Sequence, residues 1–237
     1  MRSIVLANQK GGVGKTTTAI HLAHGLALSG RRVALFDLDP QGNATVAVQA
    51  MADAAETTED LSGLTPLQSN LWLLPSSGSV GQRRDATIDV GRLQDLVQSL
   101  EDRIDWLVVD CPPRMDEWGW AGIQIAEEVL VPVQAEFFAM HGLSQMLASL
   151  EAAAEQFPGR GKLRGVLPTM VDYREPVAQE ILADLRANLG DRLMRTVIVR
   201  DSGLVEAASF GRSVFQHCPF SKSALCYADL VKELVDG

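Results

Sequence analysis

The sequence predicts an α/β fold, a mostly parallel twisted sheet with helices on both faces, and three observations carry that prediction. Short apolar runs alternate with stretches of helical periodicity along the 237 residues, as successive strand and helix units require. A glycine-rich stretch, Asn8 to Thr18, lies directly between the first apolar run and the first helical pattern. Two further apolar runs lead into aspartates, Asp37 and Asp110, which puts carboxylates at the carboxyl edge of such a sheet, where ligands collect.

The length fits one domain spanning residues 1–237, large enough for a core on both faces of a sheet. Hydrophobic residues make up 46% and charged residues 22%, the balance of a globular chain rather than a disordered one. Cys111, Cys218 and Cys226 are odd in number and lack metal-ligand spacing, which points to a reducing cytoplasm without a disulfide framework. No signal peptide or membrane span is read, so a soluble protein is expected. A net charge of -9 argues against a dedicated DNA-binding domain. That charge is uneven: residues 1–150 hold 10 basic and 18 acidic side chains, residues 151–237 hold 11 and 12, which leaves room for a basic patch in the C-terminal part.

Ser3 to Ala7 is the first strand. In Lys10-Gly11-Gly12-Val13-Gly14-Lys15-Thr16-Thr17, the absent glycine side chains let backbone amides wrap a polyphosphate. The helix that follows, Thr16 to Ser29, aims its positive end at the anion and stops at Gly30. Residues 10–17 are therefore the candidate phosphate site, with the Thr16 hydroxyl a candidate magnesium ligand. Lys10 adds a second ammonium where a γ-phosphate builds charge during transfer. His21 and His24, without ligands at metal spacing, read as structural or surface residues.

Arg32 to Phe36 is a second buried strand, ending in Asp37-Leu38-Asp39-Pro40-Gln41-Gly42-Asn43. Carboxylates at i and i+2 point the same way, and beside a phosphate loop they can organise Mg²⁺ and its waters or position the attacking water. A short helix from Ala44 through Met51 precedes an acidic, turn-prone stretch, Asp53 to Ser69. Leu71 to Pro75 reads as a strand, 76–81 as a loop, and Ile88 to Leu100 as a helix with Leu93, Leu96, Val97 and Leu100 inward. The strand Ile104 to Asp110 ends in one carboxylate, the Walker B arrangement, followed by Cys111-Pro112-Pro113; Cys111 reads as a small buried residue.

Together, K-G-G-V-G-K-T-T, D-L-D-P-Q-G-N-A-T and D-C-P-P resemble the ParA/MinD family of deviant Walker A ATPases, in the form without an N-terminal DNA-binding domain. The resemblance implies a P-loop NTPase fold and a Mg²⁺-dependent ATPase that dimerises around ATP. It implies that Lys15 holds the β- and γ-phosphates of its own subunit's ATP, and that Lys10 reaches the partner's nucleotide. Asp39 would orient or activate the hydrolytic water, and Asp37 and Asp110 would support the metal through its water shell. Gln134 to Leu143 and Leu204 to Gly211 are also family-like. Gly165 to Asp172 resembles the strand and loop that approach the adenine, making Met170 and Asp172 candidates near the base, with Val199 and Arg200 of a later turn. Three departures stand out: Arg114 to Trp120 replaces the family's usual segment, Val199-Arg200-Asp201 stands where Pro-Arg-Asn is common, and Gly203 replaces a usual basic residue. Trp118 and Trp120 either form a partner surface or simply pack.

Glu128 to Val133 reads as a strand, and Leu143, Met146, Leu147, Leu150 and Ala154 as the buried stripe of a helix. The last helix, about Lys222 to Val235, puts Leu225, Ala228, Val231 and Val235 on one face. It lacks the basic polar face that a membrane-targeting helix needs. The resemblance thus implies an ATPase that positions or segregates DNA or a protein cargo, with ATP-dependent non-specific DNA binding. Arg174, Arg186, Arg192, Arg195 and Arg212 are its candidate phosphate contacts, although each singly reads as a solvated helix face. The expected partners are a second copy of the chain, a ParB-like or other stimulating protein, and nucleoid DNA, in the cytoplasm and without stable membrane association. The alternatives are a MinD-like membrane-surface ATPase, a metabolic enzyme on the same scaffold (a dethiobiotin-synthetase-like ligase, or a nitrogenase-iron-protein-like reductase, whose cluster cysteines have no clear equivalent), and a DNA-independent regulator or adaptor.

Overall fold

Strands buried on both faces read as near-continuous apolar runs, and among the described residues six strands pair in parallel. The computed structural model describes residues 1–53, 61, 63–76, 88–136 and 139–236. Strand β1 (Arg2–Leu6) leads into helix α1 (Lys15–Leu28), then β2 (Val33–Asp37), α2 (Asn43–Ala47), α3 (Gln49–Asp53), β3 (Thr65–Gln68) and β4 (Leu71–Leu74). Helix α4 (Val90–Ser99), β5 (Trp106–Asp110), α5 (Glu117–Ile125), β6 (Glu128–Gln134), α6 (Ala139–Gln156) and β7 (Lys162–Thr169) follow. The chain ends in α7 (Pro176–Leu189), a 3-10 turn (Gly190–Arg192), α8 (Ser202–Ser209), α9 (Val214–His217) and α10 (Lys222–Asp236). The sheet order is β3-β4-β2-β5-β1-β6-β7. The mostly parallel α/β architecture expected from the sequence is the one observed.

Alternation along each strand divides the core. On β1, Val5 joins the cluster containing Phe36, Trp72, Leu93, Ile123, Met146 and Leu185. Ile4 and Leu6 join the opposite cluster with Leu22, Leu26, Leu35, Tyr227 and Leu230. The phosphate loop leaves the centre of this sheet, because β1 lies between β5 and β6.

Several local expectations need correction. The stretch read as turn-prone contains β3, an edge strand antiparallel to β4. Its run Thr65-Pro66-Leu67-Gln68 is short and holds a proline, which hid the strand. The expected helix 44–51 is broken at Val48, where φ is -113°. In α6 the buried alanine is Ala153, not Ala154. In α10 the inward face is Ala224, Tyr227, Leu230, Val231 and Leu234, while Leu225 points to solvent. The tyrosine takes the central core position, which rotates the face by about one residue. Residues 77–81 of the expected loop, and 54–60 and 62 of the acidic stretch, lie outside the described residues.

Residues 114–120, where the family pattern fails, form the entry to α5. The Asp116 carboxylate accepts from the Trp118 and Gly119 amides at 3.1 and 3.4 Å, an N-cap. Trp118 and Trp120 are half-buried against the core. Gly119 is required because a Cβ there would overlap the Arg114 carbonyl oxygen.

Helix α10 is tied at both ends. Its Ser223 amide donates to Asp201 Oδ2 (3.1 Å), and its Glu233 carboxylate accepts from the Arg195 and Thr196 amides (2.7 and 2.9 Å). At its last turn Arg2 and Arg164 donate to the Leu234 and Glu233 carbonyls, both at 3.0 Å, satisfying two acceptors the helix leaves over.

Candidate functional site

Backbone conformation comes first at the phosphate loop. Gly12 and Gly14 have φ of 74° and 87°, the left-handed region where a side chain is strained. Gly14 is also the N-cap of α1. Asn8 bridges the loop to β6, donating to the Pro132 carbonyl (2.7 Å) and accepting from the Lys10 amide (2.9 Å). Thr169, at the end of β7, donates to the Val13 carbonyl (2.9 Å) and fixes the other side.

The two lysines diverge. Lys15 is buried, and its ammonium donates to the Lys10 carbonyl at 2.9 Å. Burial lowers its pKa, opposed by Asp110 and Asp39. The Lys10 ammonium is half-exposed and pairs with Glu136 of the same chain, just beyond β6.

The floor is acidic. In register, Leu6 of β1 pairs with Asp110 of β5, and Asp110 with Asp37 of β2, so the carboxylates sit side by side at the carboxyl ends of adjacent strands. Asp37, Asp39 and Asp110 are 0%, 4% and 0% exposed, a burial that carboxylates adopt only with partners. Asp37 Oδ2 accepts from both the amide (2.7 Å) and the hydroxyl (2.6 Å) of Thr45, whereas Asp37 Oδ1 and both oxygens of Asp110 have no hydrogen-bond partner. Burial pushes the Asp110 carboxyl up to about 8, a rise to which Asp37 and Asp39 add and which Lys15 opposes. Burial raises Asp37 as well, against the two Thr45 hydrogen bonds. Asp39 Oδ1 accepts from the Gln41 amide at 2.9 Å.

These orphaned carboxylate oxygens fit a divalent cation held through water. Among the described residues no three His, Cys, Asp or Glu side chains form a protein cage for a metal. Mg²⁺ on a polyphosphate needs none, since one or two protein groups and the phosphates suffice. Thr16, Asp37 and Asp110 are the expected groups that could hold it.

Beside the loop lies a cavity of about 590 Å³ lined by Gly14, Thr17, Met170, Val199, Arg200 and Tyr227. Its apolar walls and peripheral polar groups suit a nucleoside. Met170 has φ of 55°, an unusual conformation for a side-chain-bearing residue, and its methyl lies over Gly14. Of the residues expected near the base, Met170, Val199 and Arg200 line this cavity; Asp172 does not. Arg174 claims its carboxylate at 2.5 Å and holds it well below the usual carboxylate range. Cys111 is buried, and its sulfur fills the space left by Gly122.

Behind the loop, α1 is joined to the C-terminal helices through its histidines. His21 Nδ1 donates to the Thr17 carbonyl (2.6 Å), Nε2 accepts from the Val214 amide (2.9 Å), and the ring stacks on Tyr227 at 4.8 Å. His24 Nδ1 meets Ser213 Oγ at 2.5 Å. Asn8, Thr45, Glu136 and Thr169 were outside the predicted site. Asn8 lies within the quoted glycine-rich stretch and Thr45 within the quoted D-L-D-P-Q-G-N-A-T string; Glu136 and Thr169 depend on contacts between distant segments. The five candidate DNA-contacting arginines are all exposed, and Arg186 and Arg195 line one shared groove.

A family model described as an AAA domain matches residues 1–160. The chain is 42% identical over 242 residues to the chromosome-partitioning ATPase Soj of Thermus thermophilus, covering 99% of this chain and 96% of that one. It is 32% identical to the chromosome partitioning protein ParA of Caulobacter vibrioides, covering 99% and 94%. Among solved structures, cobyrinic acid a,c-diamide synthase from Mycobacterium smegmatis, with bound ATP analogue and magnesium, superposes with a TM-score of 0.77 at 28% identity, covering 99% and 94%.

Proposed function

From the premise that the chain belongs to the ParA/MinD family of P-loop ATPases, we propose that it pairs with a second copy of itself around ATP and uses hydrolysis to position DNA or a protein cargo. It is an ATPase whose cofactors are ATP and Mg²⁺. The single observation behind the mechanism is the set of buried carboxylates on adjacent strand ends beneath the phosphate loop, with three oxygens unpartnered.

In this reading the amides of residues 11–16 and the Lys15 ammonium, released from the Lys10 carbonyl, hold the phosphates. Bound magnesium would neutralise charge on the β- and γ-oxygens. Thr16 would supply a hydroxyl to it, and Asp37 and Asp110 would accept hydrogen bonds from its waters. Asp39 orients the attacking water. Lys10 leaves Glu136 and reaches the partner subunit's γ-phosphate, so hydrolysis removes the charge that joins the two subunits. Met170, Val199 and Arg200 flank the base.

A membrane-surface role finds less support, because α10 buries its apolar face and is held at both ends. No described helix is long and apolar enough to cross a membrane. A cytoplasmic location, nucleoid association of the ATP form and a ParB-like stimulating partner belong to the same proposal. A salt-titrated DNA-binding assay with ATP, ADP and no nucleotide tests it. Binding confined to ATP and steeply weakened by salt is expected. Equal binding in all three conditions, or none with ATP, would refute the DNA step.

A further inference from the structure

We infer that Thr45 is a positioning residue of the ATPase site, holding Asp37 and the loop that carries Asp39 in the arrangement magnesium-dependent nucleotide binding requires. The inference rests on the reading that Asp37 faces the metal's water shell.

Thr45 spends two donors on one acceptor atom. Its amide and hydroxyl reach Asp37 Oδ2 at 2.7 and 2.6 Å, although a carboxylate offers two oxygens. This leaves Oδ1, buried and unpartnered, as the only oxygen of Asp37 open to a ligand. A carboxylate pinned through one oxygen cannot rotate about its terminal torsion without breaking two charge-assisted bonds, so the direction of Oδ1 is set by Thr45. Second-layer partners of this kind orient metal-linked groups in many sites.

The same contact closes a loop. Between Asp37 and Thr45 the chain turns at Gly42, whose φ is 67° and whose amide donates to the Asp39 carbonyl at 2.8 Å. The Asp39 side chain accepts from the Gln41 amide inside this loop. Thr45 lies in the first turn of α2, which is only five residues long and cannot by itself fix the loop. The two Thr45 bonds therefore locate Asp39 as well as Asp37.

The test measures binding of a non-hydrolysable ATP analogue to the full chain by calorimetry, in EDTA and across a Mg²⁺ titration. Thr45→Val keeps the shape and the amide donor but removes the hydroxyl; Thr45→Ala is the second variant should valine fail to fold; Thr45→Ser restores the hydroxyl. The expected result for valine or alanine is an approximately tenfold rise in the Mg²⁺ concentration that produces half the gain in affinity, about the lower end of second-layer effects on metal affinity. Affinity in EDTA stays unchanged, and serine returns the parent titration. A parent-like Mg²⁺ titration in folded Thr45→Val or Thr45→Ala overturns the inference, as does a serine variant shifted as far as valine. Asp37→Asn separates the two levels. If it shifts the titration and Thr45→Val does not, only the Thr45 inference falls; if neither shifts it, the reading of Asp37 falls too.

Discussion

His21 gives the fold a stability that acid should remove. Its Nε2 accepts the Val214 amide proton while Nδ1 donates to the Thr17 carbonyl, so the ring is neutral with its proton on Nδ1. A second proton would set two N–H groups against each other in a buried site. Burial, the largest cause, lowers the His21 pKa from 6.5 to about 4. The sign follows from proton counting. Between pH 6.5 and about 4 the unfolded chain holds a proton there that the folded chain lacks, so stability falls as the pH falls through this window. At about 1.4 kcal/mol per pH unit, lowering the pH from 7.5 to 5.0 should cost roughly 2 kcal/mol through His21 alone. Asp110 acts in the opposite direction, since its raised pKa of about 8 makes the fold take up a proton on acidification. The two effects are separated by urea unfolding of the parent and His21→Gln at both pH values. Glutamine keeps an acceptor for the Val214 amide but does not titrate. The parent should lose about 2 kcal/mol more than the variant over that interval. An identical pH dependence in the two proteins would refute the assignment of the neutral ring.

Three further outcomes are expected. Asp39→Ala should bind ATP with little change yet hydrolyse it at least about a hundredfold more slowly, accumulating as an ATP-bound dimer; rapid turnover in a phosphate-release assay would remove Asp39 from the mechanism. Lys10→Ala should remain monomeric with ATP in size-exclusion chromatography with light scattering, and a normal dimer would end the role in trans. Gly122→Ala drives a methyl into the Cys111 sulfur behind the Walker B strand and should destabilise by about 1–3 kcal/mol in urea, an overpacking cost that Cys111→Ala in the same chain should relieve.

The sequence disclosed most where chemistry demands consecutive residues. The strand, glycine loop and helix of residues 3–29 were legible because glycines between an apolar run and a helical pattern mark a tight strand-to-helix turn, and the strands ending in Asp37 and Asp110 because their apolar runs are continuous. Strand β3 was illegible because an edge strand needs little apolar periodicity and tolerates Pro66. The face of α10 was misassigned by one position because hydrophobic periodicity gave Leu225 the weight that Tyr227 holds in the core. Asp172 was placed near the base by likeness of its segment; its carboxylate pairs with Arg174, two residues on, and it is not among the residues lining the cavity beside the loop. The Glu136 partner of Lys10 could not be read at all, since 126 positions separate the two in the chain.

Strand β1 ends very differently on its two sides. At its start the Arg2 guanidinium lies 4.2 Å over the Trp106 ring and binds both Glu128 and the Leu234 carbonyl, so one residue fastens β1 to β5, β6 and α10. At its other end the chain runs into the glycines of the phosphate loop. The strand is thus a rod fastened at both ends, by Arg2 at its start and, at the other, by the Asn8 bridge to Pro132 just before the glycines. The cation that locks β1 to its neighbours therefore sits at the amino edge of the sheet, away from the phosphate loop and from the carboxylates at the carboxyl edge.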